Sequence, residues 1–457
     1  MSFHGAANIA LQPIPPAMPR MELLQRWLAA QMDRQQCARI LEQFIREHDL
    51  DGLLSPEAVR KGERFVSDRL LFDLFAEPRD WQWLVGARND FQLAVELDAS
   101  AVESAAQLIR LAAGAGSAAE FLDCAEGFAD SDVLDIVAQT IGSSPENGTW
   151  PAPEIPGIHR REHASLLLVS GATRFLTDPQ ALTASWTTNS AYPCDVAPVR
   201  ADAVAITHHH NDHWHLPSII AATAVNTPVF VPPVPRPNLL TPESMKRSLE
   251  LAGQNVSDPA WNSRLTIGEL AVTVLPFFGE QPTVAAPGAP PYVRNFGSCY
   301  RVDCADWSAL VLADTGTDPD GTMVDVVARS VAEQGPVDAL LCCSIEFPEG
   351  LNDGLPEYLM TLPFERLEEI YAAKTRGNQQ SMTAGPAGAA ALCKAAGARY
   401  YLPYAQGFAG LLSDPGQDES LCTAVAAELA RLSAHTEVVR WRPGNVATFR
   451  NRELILR

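Results

Sequence analysis

The sequence predicts an α/β protein in which sheets layered with helices follow a mostly helical N-terminal domain. Apolar residues recur at helical spacing between residues 21 and 142, which predicts a helical region. A proline-rich break at residues 150–157 ends that pattern. After the break, short apolar runs of strand length alternate with helical stretches, as in proteins whose sheets are covered by helices. We therefore expect two domains, residues 1–150 and residues 151–457.

The helical interpretation of the N-terminal domain depends on periodicity and on a capping signal. The apolar residues that recur in the first predicted helical stretch are Leu24, Leu28, Cys37, Ile40, Leu41, Phe44 and Ile45. The tripeptide Ser55-Pro56-Glu57 is typical of a helix N-terminus, with a capping serine and a proline at the first helical position. This domain contains no constellation of catalytic residues. We expect it to form a homodimer, to cover an active site, or to dock a substrate or carrier.

The second domain is predicted to consist of short strands separated by helices. The predicted strands are residues 164–169, 174–179, 203–207, 229–231, 270–275, 299–302, 309–312, 339–343 and 400–402. The predicted helices are residues 242–252, 322–333, 363–374, 386–396 and 418–434. A turn glycine separates the first two strands, which are therefore expected to form a hairpin.

Composition and charge limit the classes of partner and the compartment. Hydrophobic residues make up 47% and charged residues 19% of the chain, which is typical of a globular protein. The formal net charge of −21 disfavours nucleic acid and anionic membranes as partners. No apolar run reaches the roughly 18–20 residues that span a bilayer, and no secretory signal is evident, so we expect a cytoplasmic protein. The nine cysteines are scattered without a CxxC pair, which disfavours disulfides and thiolate zinc sites.

A histidine-rich segment, residues 207–215, directly follows a predicted strand. It contains five of the ten histidines in the chain. A strand end that turns into a helix directs several side chains into one crevice, and histidine and aspartate side chains there can divide between two metal ions. His208 and His210 would bind one ion, and Asp212 and His213 would bind the other.

The pattern His208-x-His210-x-Asp212-His213 resembles the HxHxDH signature of the metallo-β-lactamase superfamily, which also follows a strand. The predicted hairpin resembles the opening hairpin of that fold. The resemblance covers roughly residues 158–450, so it implies a metallo-β-lactamase αββα sandwich and does not extend to the helical domain. It does not decide the reaction, because the superfamily includes hydrolases, nucleases, flavodiiron proteins and oxygenases.

Two later carboxylates are candidate ligands. Asp314 ends an apolar strand in an Asp-Thr-Gly sequence and matches the bridging aspartate of the superfamily. No histidine occurs between His215 and His435, so the third-motif histidine of the zinc hydrolases is missing. Glu280 lies at the strand end where that histidine is expected; an ordinary loop glutamate is the alternative interpretation. The last superfamily histidine is also missing, because Ala405 lies near its place, and His435 is expected on the surface.

The inferred ligands are His208, His210, Asp212, His213, Glu280 and Asp314. A carboxylate-rich set suits iron or manganese better than an imidazole-rich set, which suits zinc. Glutamate in the third motif resembles the dinuclear-iron branch of the superfamily, of the amino-acid β-hydroxylase type found in chloramphenicol biosynthesis. The resemblance implies two iron ions, O₂ as co-substrate, an external electron donor, and roles in catalysis for Glu280 and Asp314. Two zinc or manganese ions are the alternative.

We therefore expect a non-haem diiron, O₂-dependent oxygenase that hydroxylates an amino acid or a peptide-like biosynthetic intermediate, either free or held on a carrier. The alternative is a dizinc hydrolase of an ester, amide or phosphodiester. The intact signature disfavours a non-catalytic scaffold. Candidate supporting residues are Asp178, His209 and His215 as hydrogen-bond partners of ligands, Tyr404 and Gln406 as pocket lining, and residues 282–291 as a lid. Each of them also has an ordinary alternative in a turn or on the surface.

Overall fold

Two large β-sheets form the centre of the computed structural model, which describes residues 7–14, 20–76, 79–87, 90–110, 155–161, 163–180, 199–281, 293–347, 360–379, 381–406 and 415–457. The strands are β1 (Ala7–Pro13), β2 (Trp81–Ala87), β3 (Asp90–Leu97), β4 (Gly157–Arg160), β5 (Leu166–Ser170), β6 (Thr173–Thr177), β7 (Ala203–Ala205), β8 (Val229–Phe230), β9 (Val256–Ser257), β10 (Arg264–Ile267), β11 (Leu270–Pro276), β12 (Ser298–Asp303), β13 (Ser308–Ala313), β14 (Thr317–Asp318), β15 (Gly321–Thr322), β16 (Ala339–Cys342), β17 (Tyr400–Pro403), β18 (Glu437–Val438), β19 (Val446–Arg450) and β20 (Glu453–Leu456).

The helices cover the sheets and build most of the N-terminal region. They are α1 (Arg20–Ala29), α2 (Arg34–His48), α3 (Pro56–Lys61), α4 (Leu74–Ala76), α5 (Val102–Arg110), α6 (Leu216–Ala222), α7 (Met245–Leu251), α8 (Met323–Gln334), α9 (Phe364–Arg376), α10 (Gly385–Ala396) and α11 (Pro415–Arg431). A π-helical turn, Arg69–Asp73, precedes α4. None of the helices in the described ranges is long and apolar enough to cross a membrane.

The two sheets stack face to face, and helices cover both outer faces. The eight-stranded sheet has the order β20-β19-β4-β5-β6-β7-β8-β9, and the seven-stranded sheet has the order β10-β11-β12-β13-β16-β17-β18. Phe175 of the first sheet and Tyr300 of the second belong to the core cluster between the sheets. The outer face of the first sheet packs on α6 and α7, and that of the second packs on α8, α10 and α11. This arrangement confirms the predicted αββα sandwich.

Strand β5 shows why the central strands are apolar throughout. Its side chains point alternately to the two faces of the sheet. Leu166 and Leu168 join the cluster between the sheets, whereas Leu167 and Val169 join the cluster beneath the helices. Because both faces are covered, every residue of the strand is buried and the sequence reads as an uninterrupted apolar run.

The N-terminal region is mainly helical, as predicted, and it packs directly on the sandwich. Helix α3 begins at the predicted cap, where the Ser55 hydroxyl accepts the N–H of Ala58 at 3.2 Å. Trp27 lies edge-on to Phe65 of the same region and to Phe364 at the start of α9. The helices of this region therefore share a hydrophobic core with the sandwich.

A three-stranded antiparallel sheet, β1-β2-β3, is the part of this region that helical spacing did not predict. Trp81 and Trp83 of β2 lie two residues apart, are buried, and belong to the same core cluster as Ile219 of α6. The N-terminal sheet is thereby anchored to the helix that follows the histidine-rich segment. The predicted boundary between residues 150 and 151 lies outside the described residues.

Candidate metal centre

The predicted ligands lie where strands of both sheets end, at one edge of the sandwich. The histidine-rich segment follows β7, Glu280 follows β11, and Asp314 follows β13. In each of three overlapping groups, the potential ligand atoms lie within 4.8 Å of one another. The groups are His208 with His210 and Glu280, His208 with His213 and Asp314, and His163 with Asp212 and His213. The structure thus brings all the predicted ligands together and adds His163 to them.

Left-handed backbone marks these strand ends. Asp178, Glu280, Ala313 and Ala405 have φ values of 42°, 49°, 52° and 55°. Residues other than glycine adopt such values infrequently, and the strain persists only where surrounding contacts maintain it, often at functional sites. One such contact is the N–H of Glu280, which donates to the carbonyl oxygen of Met382 at 2.9 Å.

The turn before Glu280 requires a glycine. Gly279 has a φ of 113°, and a Cβ at this position would approach the backbone nitrogen of Gly316 to 2.2 Å. The N–H of Gly316 donates to the carbonyl oxygen of Phe278 at 2.8 Å, so the two loops that follow β11 and β13 lie side by side. This close approach brings Glu280 to the same edge of the sandwich as Asp314.

The first ligand group places a glutamate between two imidazoles. Oε2 of Glu280 lies 3.0 Å from Nε2 of His208 and 2.8 Å from Nδ1 of His210. The two imidazole nitrogens are 3.0 Å apart. The Phe277 ring stacks on His208 with a centroid separation of 5.2 Å, and Asn295 donates to Oε2 of Glu280 at 3.4 Å. These contacts hold three convergent donors of the kind that bind a metal ion.

The second group is organised around His213, which lies between two carboxylates. Its Nδ1 donates to Oδ2 of Asp178 at 2.8 Å, and its Nε2 lies 2.7 Å from Oδ2 of Asp314. Asp178 also accepts the backbone N–H and the hydroxyl of Thr207 at 2.7 and 2.6 Å. A carboxylate that accepts from one nitrogen of a histidine directs the other nitrogen toward a metal. Asp178 therefore lies where the predicted orienting residue should be.

His163, the residue in this site that the sequence pattern did not indicate, immediately precedes the opening hairpin. Its exposed fraction is 3%, and its Nε2 lies 3.1 Å from Oδ2 of Asp212. The superfamily pattern assigns histidines to the signature and to positions after it, so the spacing does not predict a ligand upstream of the signature. The available signal was composition, because a histidine beside a buried apolar strand is unusual in a chain with only ten histidines.

Opposite charges shift the pKa values of the carboxylates and imidazoles. Burial raises the pKa of Glu280, but the charge of His210 outweighs it and holds that pKa below its ordinary value. Burial lowers the pKa of His213, but the charges of Asp314 and Asp212 raise it well above its ordinary value. The pKa of Asp212 is well below its ordinary value, because the charge of His213 outweighs burial. These shifts favour the carboxylate forms of Glu280 and Asp212, which suit a cation, and a metal ion bound at His213 would displace a proton from its imidazole.

The other predicted histidines lie around the ligand groups. His209 faces Glu243, with Nε2 and Oε2 separated by 3.9 Å. His215 caps helix α6, because its Nδ1 accepts the N–H of Ser218 at 3.2 Å. His435 is exposed, as predicted. None of these three residues belongs to a ligand group among the described residues.

The two residues predicted to line a pocket beside the missing histidine are buried and make hydrogen bonds within the fold. The Tyr404 hydroxyl accepts the N–H of Ala313 at 2.8 Å, so it supports the backbone immediately before Asp314. Gln406 is buried, and its Nε2 donates to the Ser344 hydroxyl. The proposed lid, residues 282–291, lies outside the described residues.

Replacing Asp178 by asparagine is expected to weaken metal binding at His213 by about 10- to 100-fold, as is usual for an outer hydrogen-bond partner. Asparagine tolerates the left-handed backbone of this position, so the fold should persist. Competition between the protein and a chelator for Fe²⁺ or Zn²⁺ measures the affinity. The control is Asp202→Asn, since Asp202 is exposed and accepts a backbone N–H from Arg174 at 2.8 Å. Unchanged affinity in Asp178→Asn would contradict the orienting role.

A family model and one solved structure agree with this fold. Residues 173–345 match the family model described as the beta-lactamase superfamily domain. The diiron β-hydroxylase CmlA from Streptomyces venezuelae superposes with a TM-score of 0.56 and 16% identity, over 95% of this chain and 97% of that chain. A metallo hydrolase from Ignicoccus hospitalis gives a TM-score of 0.39 and 13% identity, over 65% of this chain and 97% of that chain. No curated protein sequence matches significantly.

Proposed function

From the premise that the chain has the metallo-β-lactamase fold, with a β-lactamase superfamily domain at residues 173–345, we propose that it is a non-haem diiron, O₂-dependent oxygenase. Glu280 is the main support for this proposal. Its carboxylate lies between His208 and His210, where a zinc hydrolase would have a third imidazole. The similarity to CmlA, described as a diiron β-hydroxylase, supports the same choice over nearly the whole chain.

The charges of the proposed ligands suit iron. Two ferrous ions and three carboxylates sum to +1, and two ferric ions with an oxo bridge also sum to +1. A site of this composition can change oxidation state without a change in net charge. Hard carboxylate oxygens favour iron over zinc, which is better served by imidazole-rich sets. Two bound iron ions would supply the chemistry of O₂ activation, with electrons from an external donor.

The side chains divide into two ligand sets in this proposal. His208, His210 and Glu280 hold one ion. Asp212 and His213 would hold the other, and Asp314 would contribute to both. The bridging assignment is supported by the distance of 2.7 Å between Asp314 and Nε2 of His213, and by the ligand group that Asp314 forms with both His208 and His213.

A cavity of about 340 Å³ between the N-terminal region and the sandwich is the proposed substrate site. Leu11, Phe75 and Arg79 line it from the N-terminal side, and His210 and Trp214 line it from the sandwich. The volume falls in the range of small-molecule sites, about 300–1,000 Å³. Because His210 belongs to the first ligand group, a substrate held here lies beside the proposed metal centre. The N-terminal region thereby acquires a role in substrate binding.

Charged groups in this cavity suit an amino acid. Arg20 and Arg79 contribute guanidinium groups, which match carboxylates in shape and charge. Burial raises the pKa of Glu243, but the interaction with the nearby His209 imidazole outweighs it and lowers that pKa, which favours the carboxylate form of this cavity residue. We propose that the guanidinium of Arg79 meets a substrate carboxylate and that Glu243 meets an amino group. A carrier-bound aminoacyl group, which has no free carboxylate, is the alternative form.

Substituting Arg79 with glutamine is expected to raise KM for a free amino-acid substrate by on the order of 10- to 100-fold, because a charge-assisted hydrogen bond is lost. The kcat should stay near the wild-type value, since Arg79 does not reach the reacting atoms in this proposal. Substrate-dependent O₂ uptake measures both constants. Arg236→Gln is the control, because Arg236 is half exposed and pairs with Asp73. An unchanged KM would point to carrier-bound substrates, for which no free carboxylate is recognised.

Isotope labelling tests the reaction itself. One atom of O₂ should enter a C–H bond of the substrate as a hydroxyl group. The other atom should leave as water, with two electrons from the donor and two protons. Reactions of the iron-loaded protein with ¹⁸O₂ and a panel of free and carrier-bound amino acids should therefore give a product with one ¹⁸O atom. Cleavage of an ester, amide or phosphodiester without O₂ consumption would favour the hydrolase alternative.

A further inference from the structure

One surface of this acidic protein is basic. Residues 440–457 carry five arginines and one glutamate, a net charge of +4, whereas the whole chain has a net charge of −21. We propose that this arginine surface docks an acidic protein that donates single electrons. The inference rests on the proposed oxygenase function, which requires an external electron donor. The arginine surface consists of Arg440, Arg442, Arg450, Arg452 and Arg457.

The arginine surface has an apolar centre and a charged rim, as protein interfaces do. Alternate residues of a strand share one face of the sheet. Phe449 and Leu454 lie opposite each other in β19 and β20 and pack against the core between the sheets. Arg450, Ile455 and Arg457 therefore lie on the other face. Ile455 is 43% exposed, one of four large hydrophobic residues that are exposed in the described ranges.

Two of these arginines have charges that are available to a partner. Arg450 and Arg457 are exposed, and neither forms an ion pair with the residues that the structure describes. Arg452 is fixed by Asp338, with Nη1 and Oδ2 separated by 3.1 Å. Guanidinium groups match carboxylates in shape and charge. An acidic partner is repelled by the negative charge of the rest of the chain, so it is steered to this surface.

The arginine surface adjoins the segment that leads to the candidate metal centre. Val446 exchanges two backbone hydrogen bonds of 2.9 Å with Arg457, and it also pairs with His159 of β4. Two strand spacings, about 10 Å, therefore separate Arg457 from His159. His159 lies four residues before His163, whose imidazole belongs to one of the three ligand groups. A donor on this surface approaches the centre from the side of His163.

The position of the arginine surface favours an electron donor over a substrate carrier. Residues that follow β7, such as Trp214, line the proposed substrate cavity. Strands β4, β5 and β6 lie between β19 and β7 in the sheet, so four strand spacings, about 19 Å, separate them. A carrier that delivers substrate has to dock beside the cavity. An electron donor on the arginine surface leaves the cavity open.

The stoichiometry of the proposed reaction suits a transient partner. Each hydroxylation places one atom of O₂ in the substrate and one in water, which takes two electrons and two protons. Two molecules of a one-electron donor therefore bind in turn, and each is oxidised by one electron as one ferric ion becomes ferrous. Exposed charges suit this exchange, because they speed association, and electron-transfer complexes bury little area.

Stopped-flow reduction of the iron-loaded ferric protein tests the arginine surface. The protein donors are an acidic [2Fe–2S] ferredoxin and an acidic flavodoxin, each reduced beforehand, and dithionite is the small-molecule donor. Arg450→Glu/Arg457→Glu should lower the rate constant with the protein donors at low salt by at least about 10-fold, since charge steering contributes about 10- to 10³-fold. High salt should bring the wild-type rate toward that of the variant. The rate with dithionite should not change.

Arg247→Glu/Arg329→Glu is the matched control, because both residues are exposed, on α7 and α8, and the change in net charge is the same. It should keep the wild-type rates, and Arg450→Lys/Arg457→Lys should keep most of the rate with the protein donors. An equal fall in the control, or no fall in Arg450→Glu/Arg457→Glu, would overturn the docking surface. So would a wild type that dithionite reduces and neither protein donor reduces. A protein purified with two zinc ions, which dithionite does not reduce, would instead contradict the oxygenase proposal on which the donor depends.

Discussion

Replacement of Asp314 by alanine is expected to reduce metal content below one ion per chain and any turnover by on the order of 10³-fold or more, about 4 kcal/mol in barrier height. The proposed bridge serves both ions, so its loss affects both at once. It also leaves His213, fully buried, without the carboxylate 2.7 Å from its Nε2. Elemental analysis of the purified variant and O₂ uptake with the wild-type substrate measure the two effects.

A control for the Asp314 variant must remove a carboxylate from the same stretch of chain. Asp320 is suitable, because its exposed side chain pairs with Arg294 and it lies only a few residues beyond Asp314, in the turn between β14 and β15. Asp320→Ala should keep two metals and nearly wild-type turnover. Two tightly bound metals in Asp314→Ala would contradict the bridging assignment. The thermal midpoint of both variants in the presence of chelator separates loss of metal from loss of the fold.

Substitution of Glu280 by histidine is expected to convert the centre from iron to zinc and to abolish O₂ uptake. The change replaces a carboxylate by an imidazole between His208 and His210, which restores the donor pattern of the zinc hydrolases. Imidazole-rich sets favour zinc, and the net charge of the site rises by one. Metal analysis after expression in medium that contains both iron and zinc should show the exchange.

Glu280→Asp is the matched variant for this test. It keeps the carboxylate and shortens the side chain by one methylene, so it should keep iron and lose only part of the activity. If Glu280→His retains iron and O₂ uptake, the carboxylate at this position does not select the metal. If Glu280→Asp loses iron as completely as Glu280→His, the geometry of the carboxylate matters more than its charge.

The sandwich could be predicted from the sequence because both of its sheets are covered. Strand β5 is buried on both faces, so the uninterrupted apolar run that predicts it is also what the structure requires. The positions of Glu280 and Asp314 could also be predicted, because each follows a buried apolar strand. A polar residue directly after a buried apolar strand emerges at the sheet edge, where the structure brings the predicted ligands into three overlapping groups.

Local sequence patterns did not predict His163 or the N-terminal sheet. His163 contacts Ala405, which lies 242 residues further along the chain. The periodicity of a sequence does not predict contacts between such distant residues. Trp81 and Trp83 alternate with other residues along β2, as in a strand with one buried face. The flanking segments have helical spacing, so the whole region was predicted to be helical. The contact between Trp27 and Phe364 could not be predicted from local patterns either, because it joins parts of the chain that were expected to form separate domains.

Metal analysis together with the optical spectrum of the purified protein tests the central claim most directly. A site of three carboxylates with Glu280 between two imidazoles should hold about two iron ions per chain. It should show ligand-to-iron charge-transfer bands in the visible region that reduction bleaches. Two zinc ions per chain with a featureless visible spectrum would contradict the diiron account. The same ligands would then belong to the zinc centre of a hydrolase.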